Sequence, residues 1–168
     1  MLTAHLPSGY VLAKAIGRTG PWAMGAALLG AVAPDFDMLW FYFVDQGQTH
    51  HHRFWPHIPA IWLAIALIFW PVARRVPARQ RQAVAIFLAA VALHLLLDSL
   101  AGGIMWLWPI NDRLLHLVTV LPRYDHWALS FILHWTFLAE IAIWIAAAIL
   151  WLRQRLKRPV LASPATRG

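Results

Sequence analysis

Five hydrophobic stretches alternate with short polar or glycine- and proline-rich connections along the chain. They cover residues 6–17, 22–44, 58–73, 83–107 and 127–152. A helix needs about 20 apolar residues to cross a bilayer, so the first stretch is too short and the third is marginal. The pattern predicts an all-α protein: an integral membrane helical bundle of four to five membrane segments, the first one short.

The composition supports a membrane protein with one domain. Of 168 residues, 61% are hydrophobic and 12% are charged, whereas a soluble domain averages about 25% charged residues. We expect a membrane-embedded domain over residues 1–158 and a disordered basic tail over 159–168. No cleavable signal peptide is expected, because no basic segment precedes the first apolar stretch. Without cysteine, metal ligands must come from His, Asp and Glu.

The basic residues divide unevenly between the two sides of the predicted bundle. The turn near residue 18, the loop 74–82 and the C-terminal tail fall on one side and carry eleven of the 14 Lys and Arg residues. The other side carries three: Arg53, Arg113 and Arg123. The positive-inside rule therefore predicts that the basic loops and the C terminus are cytoplasmic. The expected partner is the lipid bilayer, and nucleic-acid binding is not expected.

Acids and histidines occur inside the apolar stretches. Asp35 and Asp37 lie in the second stretch, and His94 and Asp98 lie in the fourth. An ionisable group at membrane depth costs about 2.5–3.5 kcal/mol on insertion scales, so it usually has a function. A spacing of four places His94 and Asp98 on one helix face. The topology predicted from charge brings these residues to the same outer half of the membrane as His5 and the run HHHRFWPH.

These residue types suit a divalent metal ion. Zinc binds His nitrogen and carboxylate oxygen where thiolates are absent. Four residues can supply one site: Asp37, His57, His94 and Asp98. A second ion could use His5 and Asp35 with one bridging carboxylate, and two metals about 3.5–4 Å apart are common in phosphoester hydrolases. We expect one or two zinc ions, with manganese or iron as alternatives for the same ligands.

Each of these residues also has a structural interpretation. His94 and Asp98 could form a buried hydrogen-bonded pair that locks two helices, and Asp35 could cap the helix after the proline. The histidines at 50–52 could form an exposed loop, with His52 the best ligand candidate among them. A haem held by two histidines would leave the acids unexplained. Five residues are expected to make supporting or structural hydrogen bonds: His116, Asp125, His126, His134 and Glu140.

Four motifs follow one another within residues 3–110: Thr3-Ala4-His5, Ala33-Pro34-Asp35-Phe36-Asp37, His52-Arg53 with His57, and His94 with Asp98. In this order they resemble a bacterial inner-membrane family described as predicted metal-dependent hydrolases, some of them LexA-regulated. They are similar, more distantly, to zinc-dependent phospholipase C. The resemblance implies an inner-membrane location and six metal ligands near Arg53: His5, Asp35, Asp37, His57, His94 and Asp98.

Together these observations predict a membrane-bound metal-dependent hydrolase. A metal-activated water would attack a phosphoester or ester, with a lipid as one candidate substrate. Asp35 would act as the base, and Arg53 could hold an anionic group of the substrate. The alternative is a membrane protein that binds or transports a divalent metal without hydrolysis. An open coordination position beside a cleft would favour the enzyme, and a closed cage reached from both sides would favour transport.

Overall fold

The computed structural model describes residues 1, 3–18 and 20–157, and the predicted disordered tail lies outside them. Within those ranges the protein is all-α, as predicted, and contains no strand. Seven α-helices follow one another: α1 (His5–Ala15), α2 (Pro21–Val32), α3 (Asp37–Phe43), α4 (Pro59–Ala73), α5 (Ala78–Asp98), α6 (Trp127–Ile132) and α7 (Phe137–Leu156). Short 3₁₀ turns occupy Pro34–Phe36, His51–Arg53 and Trp55–His57.

Two helices are long and apolar enough to cross a membrane, α5 with 21 residues and α7 with 20. A third candidate is the pair formed by α2 and the segment Pro34–Phe43, which meet at a bend of 53°. The proline accounts for the bend, because it cannot donate the backbone hydrogen bond that would continue α2. With 11 and 15 residues, α1 and α4 are shorter than a crossing. Two or three spans are therefore supported, and the predicted four to five are not confirmed.

Two predicted stretches end differently in the structure. The fourth stretch was predicted to continue to residue 107, but α5 ends at Asp98. Gly103 then adopts a φ of +80°, which glycine tolerates and a helix does not. The fifth stretch is divided between α6 and α7, where the His134 ring accepts a hydrogen bond from the Thr136 backbone at 3.4 Å. Both breaks depend on local turn chemistry that an apolar run does not reveal.

Close packing between α1, α2 and α5 sets the position of the polar residues. A Cβ on Gly30 of α2 would lie 2.3 Å from the Phe87 carbonyl oxygen of α5, and one on Gly9 of α1 would lie 2.6 Å from the Ala27 carbonyl oxygen. Small residues allow such approaches between membrane helices. As a result, the Ala31 carbonyl oxygen of α2 reaches the ring of His94 on α5.

A buried acid connects α7 to the N-terminal segment. Glu140 is fully buried, and one of its carboxylate oxygens accepts hydrogen bonds from the Thr3 backbone at 2.6 Å and the Thr3 hydroxyl at 2.8 Å. The Trp144 indole donates to the same hydroxyl at 3.2 Å. Glu140 therefore has the structural role expected of it. Because Thr3 lies two residues before His5, this contact also fixes the start of α1.

The helices have two chemically different ends. The Ala31–His94 and Trp22–Arg79 contacts show that α2 and α5 run in the same direction, and Asp98 ends α5. We call the end that contains Asp98 the acidic end. The opposite end, called the basic end, contains the turn at residue 18, the loop 74–77 and the C-terminal part of α7. All seven acids of the chain lie in the acidic half or in its loops, so the predicted segregation of charge is retained.

Candidate metal centre

Four side chains from three segments converge at the acidic end. The Nε2 atoms of His57 and His94 lie 3.3 Å apart. One Asp35 oxygen lies 3.7 Å from each of these nitrogens. Asp98 Oδ2 lies 3.0 Å from His94 Nε2 and 3.6 Å from His57 Nε2. These residues come from the turn after α2, the turn before α4, and α5, so only the tertiary fold brings them together.

Both rings present a ligand atom to this space. The Nδ1 atom of His94 lies 2.7 Å from the Ala31 carbonyl oxygen, and that of His57 lies 2.6 Å from Asp37 Oδ2. A carbonyl or carboxylate oxygen only accepts, so each Nδ1 carries a proton, and each Nε2 is the atom left to bind a further proton or a metal ion. Two Nε2 atoms that face each other beside carboxylates form a place that favours positive charge. Orientation of a ligating His through its other nitrogen is characteristic of metal sites.

The distances within this cluster fit a tetrahedral ion. Ligands about 2.0–2.2 Å from zinc at tetrahedral angles stand about 3.3–3.6 Å apart. The pairs given above span 3.0–3.7 Å. Asp98 Oδ2 is buried without a hydrogen-bond partner, although an unpaired buried carboxylate oxygen is costly. Asp35, His57 and His94 form one group of ligand atoms within 4.8 Å of one another, and His5, His94 and Asp98 form another, so each group could hold a divalent ion.

Asp37 supports this cluster through His57. Its Oδ2 accepts the His57 Nδ1 hydrogen bond, and its side chain is 3% exposed. Its other oxygen, Oδ1, has no hydrogen-bond partner and lies 3.6 Å from His51 Nδ1. The structure thus gives Asp37 the position of an orienting carboxylate. Whether it also ligates a metal stays a prediction.

His52 also belongs to the cluster, although it is not one of the six predicted ligands. It is 4% exposed, its Nδ1 lies 2.8 Å from the Gly103 carbonyl oxygen, and its Nε2 lies 3.6 Å from Asp98 Oδ2. Gly102 makes room for it, because a Cβ there would lie 2.4 Å from His52 Cε1. In the sequence, the feature that indicates this space is the Gly102-Gly103 pair, which follows the helix that carries His94 and Asp98.

His5 approaches from the opposite side of Asp98. Its Nε2 lies 3.1 Å from Asp98 Oδ1, and its ring stacks on that of His94 with centroids 3.6 Å apart. Its Nδ1 is buried without a hydrogen-bond partner. The Met1 amino group also contacts Asp98 Oδ1. Asp98 therefore has ring nitrogens on both oxygens, which is the arrangement that a bridging carboxylate between two ions would need.

The two structural alternatives for the acids fare differently. His94 and Asp98 do contact each other on one face of α5, as the spacing predicted. A simple locking pair would leave His57, His52 and His5 without a reason to face the same carboxylate. Asp35 makes no capping hydrogen bond to the following helix, so the capping interpretation is wrong.

The pKa values of two loop histidines, His52 and His57, agree with their places in the cluster. Burial lowers the pKa of His52 to about 3, which keeps its ring neutral and its Nε2 lone pair free. Burial also acts to lower the pKa of His57, but hydrogen bonds to Asp35 and Asp37 outweigh it and raise the pKa to about 9. The surroundings therefore favour positive charge on His57, which a proton or a metal ion can supply.

The remaining predicted site residues lie at the rim. Arg53 is 43% exposed and points to the loop after α5, where its Nη1 lies 3.7 Å from an Asp112 oxygen. Its predicted role toward substrate is not tested by this contact. His116 pairs with Thr119, and His126 caps α6 through Ala128.

The cluster is open on one side and closed on another. The Asp35 side chain is 35% exposed, whereas those of His57, His94 and Asp98 are at most 1% exposed. Toward the basic end the cluster is followed by a buried apolar layer formed by Val91, Leu95 and Ile104. A molecule arriving from the acidic end would therefore meet Asp35 first.

Neither a curated protein nor a solved structure is a match for the chain. A protein-family model does match, and it covers residues 1–161, nearly the whole length. Its description agrees with the apolar spans and with the bilayer as the surrounding medium. The chain belongs to the YdjM inner membrane protein family.

Proposed function

We propose that this membrane protein is a metal-dependent hydrolase that acts on a phosphoester or ester bond, with a membrane lipid as substrate. The observation that supports it best is the convergence of His57, His94, Asp35 and Asp98, whose facing atoms lie 3.0–3.7 Å apart. The orientation of both rings by acceptors at Nδ1 adds to it. The proposed metal is zinc, with manganese or iron as alternatives for the same ligands.

In this proposal, the chain's residues have distinct tasks. His57 and His94 hold the ion through Nε2, and Asp98 neutralises it from the fully buried side. A bound divalent ion would supply a water of lowered pKa and would stabilise charge on the substrate oxygens. His5, at the other oxygen of Asp98, would serve a second ion that Asp98 bridges, whereas His52 lies at the same oxygen as His94 and His57. Asp37 keeps His57 in the tautomer that leaves Nε2 free.

Asp35 and Arg53 are the proposed groups that meet the substrate. Asp35 combines contact distance to both Nε2 atoms with an exposed carboxylate, so it can accept the proton of the attacking water. Arg53 follows the buried His52 and is exposed at the rim, where a guanidinium can bind a phosphate. We further propose that the basic end faces the cytoplasm, as the positive-inside rule requires, and that the substrate enters from the opposite leaflet.

The burial pattern favours hydrolysis over metal transport. A transporter needs polar access to its site from both membrane faces. Here the only exposed ligand, among the four that converge, is Asp35. Val91, Leu95 and Ile104 form a buried apolar cluster, which in this proposal blocks access from the other membrane face. A one-sided site with an exposed carboxylate suits a substrate that arrives, reacts and leaves on the same side.

The first experiment measures metal content in detergent-purified protein. Wild type and His94→Ala/Asp98→Ala are compared with His134→Ala. Among the described residues, the imidazole that this variant removes contacts Thr136 and the Trp135 ring and lies outside the ligand cluster. We expect one or two equivalents of metal in wild type and in His134→Ala, and none in the double variant. Metal-free wild type after reconstitution with zinc, manganese or iron would contradict the proposal.

The second experiment separates hydrolysis from transport. Metal-loaded protein is assayed for release of water-soluble headgroup or fatty acid from phospholipid vesicles, and in parallel for zinc uptake into protein-containing vesicles. We expect turnover that a chelator removes and that Asp35→Asn lowers by a larger factor than it lowers metal content. Zinc uptake without turnover would instead establish the transporter.

A further inference from the structure

Two adjoining cavities lie at the basic end, far from the metal centre. The larger is an apolar groove of about 650 Å³ between α2, α4 and α5, and six of its lining residues are Gly25, Leu29, Ile65, Phe69, Val84 and Phe87. The smaller, of about 310 Å³, is lined by Arg18, Arg79 and Gln82 among others. Trp22 lines both cavities. A cationic pocket thus opens directly onto an apolar groove.

The charges of the smaller cavity lack a partner. In the part of the chain that the structure describes, neither Arg18 nor Arg79 forms an ion pair with a carboxylate. The Arg79 guanidinium lies 5.5 Å from the centroid of the Trp22 ring, an arrangement that holds it at the mouth of the groove. Two guanidinium groups that line one pocket are well suited to binding a phosphate.

The groove runs in the direction that a lipid acyl chain would take. It follows α2 from Trp22 to Leu29, about 10 Å along a helix, and so runs from the basic end toward the middle of the membrane. Its far end is closed by the rings of Trp62 and Phe87, whose centroids are 5.9 Å apart. Both rings pack against the buried layer below the metal centre. The groove therefore ends before the ligand cluster.

We propose that these two cavities form one binding site for an anionic glycerophospholipid of the leaflet at the basic end. The lipid phosphate lies between Arg18 and Arg79, Trp22 lies at the level of the headgroup, and one acyl chain fills the groove. Trp is enriched at this level of membranes, and anionic lipids are attracted to clustered basic residues. The site is separate from the metal centre, and its existence does not depend on the proposed hydrolase activity.

The test compares lipid binding by native mass spectrometry of the detergent-purified full chain. Dioleoyl phosphatidylglycerol is the probe and dioleoyl phosphatidylcholine is the neutral reference. We expect one phosphatidylglycerol to bind preferentially to wild type. Arg18→Gln/Arg79→Gln should bind it roughly 30-fold more weakly, if each guanidinium contributes as basic residues near anionic lipid do.

The chain offers a matched control for charge. Arg153→Gln/Arg155→Gln removes the same charge from the same end, and Arg155 also lies over a tryptophan, 5.0 Å from the Trp151 ring centroid, but it is not on the groove. This variant should keep wild-type affinity for phosphatidylglycerol. Equal loss in both double variants would reveal unspecific surface attraction and overturn the proposal, as would unchanged binding in Arg18→Gln/Arg79→Gln.

A second variant tests the groove without changing any charge. A Cβ on Gly25 meets no atom within 4 Å, so Gly25→Leu should fold and extend its side chain into the groove. We expect it to weaken binding of the dioleoyl lipid at least tenfold and to leave binding of inorganic phosphate unchanged. If Gly25→Leu has no effect and inorganic phosphate displaces the lipid, the pocket binds a free anion, and the acyl-chain site is wrong.

Discussion

The substitution Asp37→Asn separates an orienting carboxylate from a metal ligand. Asp37 accepts the His57 Nδ1 hydrogen bond at 2.6 Å and is almost fully buried. We expect the variant to bind metal about 10–100-fold more weakly than wild type, the range found when partners of ligating histidines are removed. We do not expect binding to be abolished.

The size of this effect follows from what the amide keeps and what it loses. The asparagine carbonyl oxygen can still accept the Nδ1 hydrogen bond of His57, so the ring keeps its tautomer and Nε2 still faces the cluster. The negative charge is lost, and a hydrogen bond to a charged group is roughly twice as strong as a neutral one. His94→Ala differs in kind, because it removes an Nε2 lone pair and breaks the contact with Asp98 Oδ2 at 3.0 Å.

The assay is competition for zinc between the purified protein and a chromophoric chelator of known affinity. Asp45→Asn is the matched control, because the hydrogen bonds that the Asp45 side chain makes within the described part of the chain are to the Thr49 backbone and hydroxyl, in its own turn. It should bind zinc like wild type. Wild-type affinity in Asp37→Asn would refute the orienting role. Complete loss of zinc, as in His94→Ala, would show that Asp37 is itself a ligand.

Two further predictions test the surroundings of the same cluster. Gly102→Ala should weaken zinc binding about tenfold or more. Its Cβ would lie 2.4 Å from His52 Cε1, so the His52 ring would have to move by about 1 Å to reach an ordinary contact distance. Gly25→Ala is the control, because the space around Gly25 is open, and it should leave zinc affinity unchanged. Zinc affinity should rise with pH up to the His57 pKa of about 9, since zinc must displace the His57 proton. The slope below that pH should be about tenfold per unit, and a flat profile from pH 6 to 8 would contradict it.

Some of the site could be predicted because it depends on local geometry. The contact of His94 with Asp98 follows from helical periodicity alone, and the break near Asp35 follows from Pro34. The segregation of the basic residues predicted the relative directions of the helices. Those directions placed His5 and His57 at the same membrane depth as His94 and Asp98. Each of these inferences uses a rule that acts within about one helical turn or one membrane thickness.

Other features could not be predicted because they depend on contacts between distant segments. His52 is buried only because the Gly102-Gly103 turn accepts its ring and its Nδ1 hydrogen bond. The role of Asp37 depends on which nitrogen of His57 faces it, and a sequence does not contain a ring orientation. The predicted four to five spans are not confirmed, because hydropathy alone does not show that α4 has only 15 residues or that the second stretch bends by 53°.

The fold and the proposed metal centre depend on each other through the cost of buried charge. Asp98, at the end of α5, is fully buried together with three histidines, and unpaired charge in such surroundings is destabilising by several kcal/mol. Hydrogen bonds from the protein satisfy Nδ1 of His52, His57 and His94 but leave Asp98 Oδ2 without a partner. Backbone carbonyls and Asp37 therefore orient the rings, and in the proposed centre a cation would complete the cluster. Such a centre would also stabilise the packing of the turn after α2 and the turn before α4 against α5, because its ligands come from these three segments.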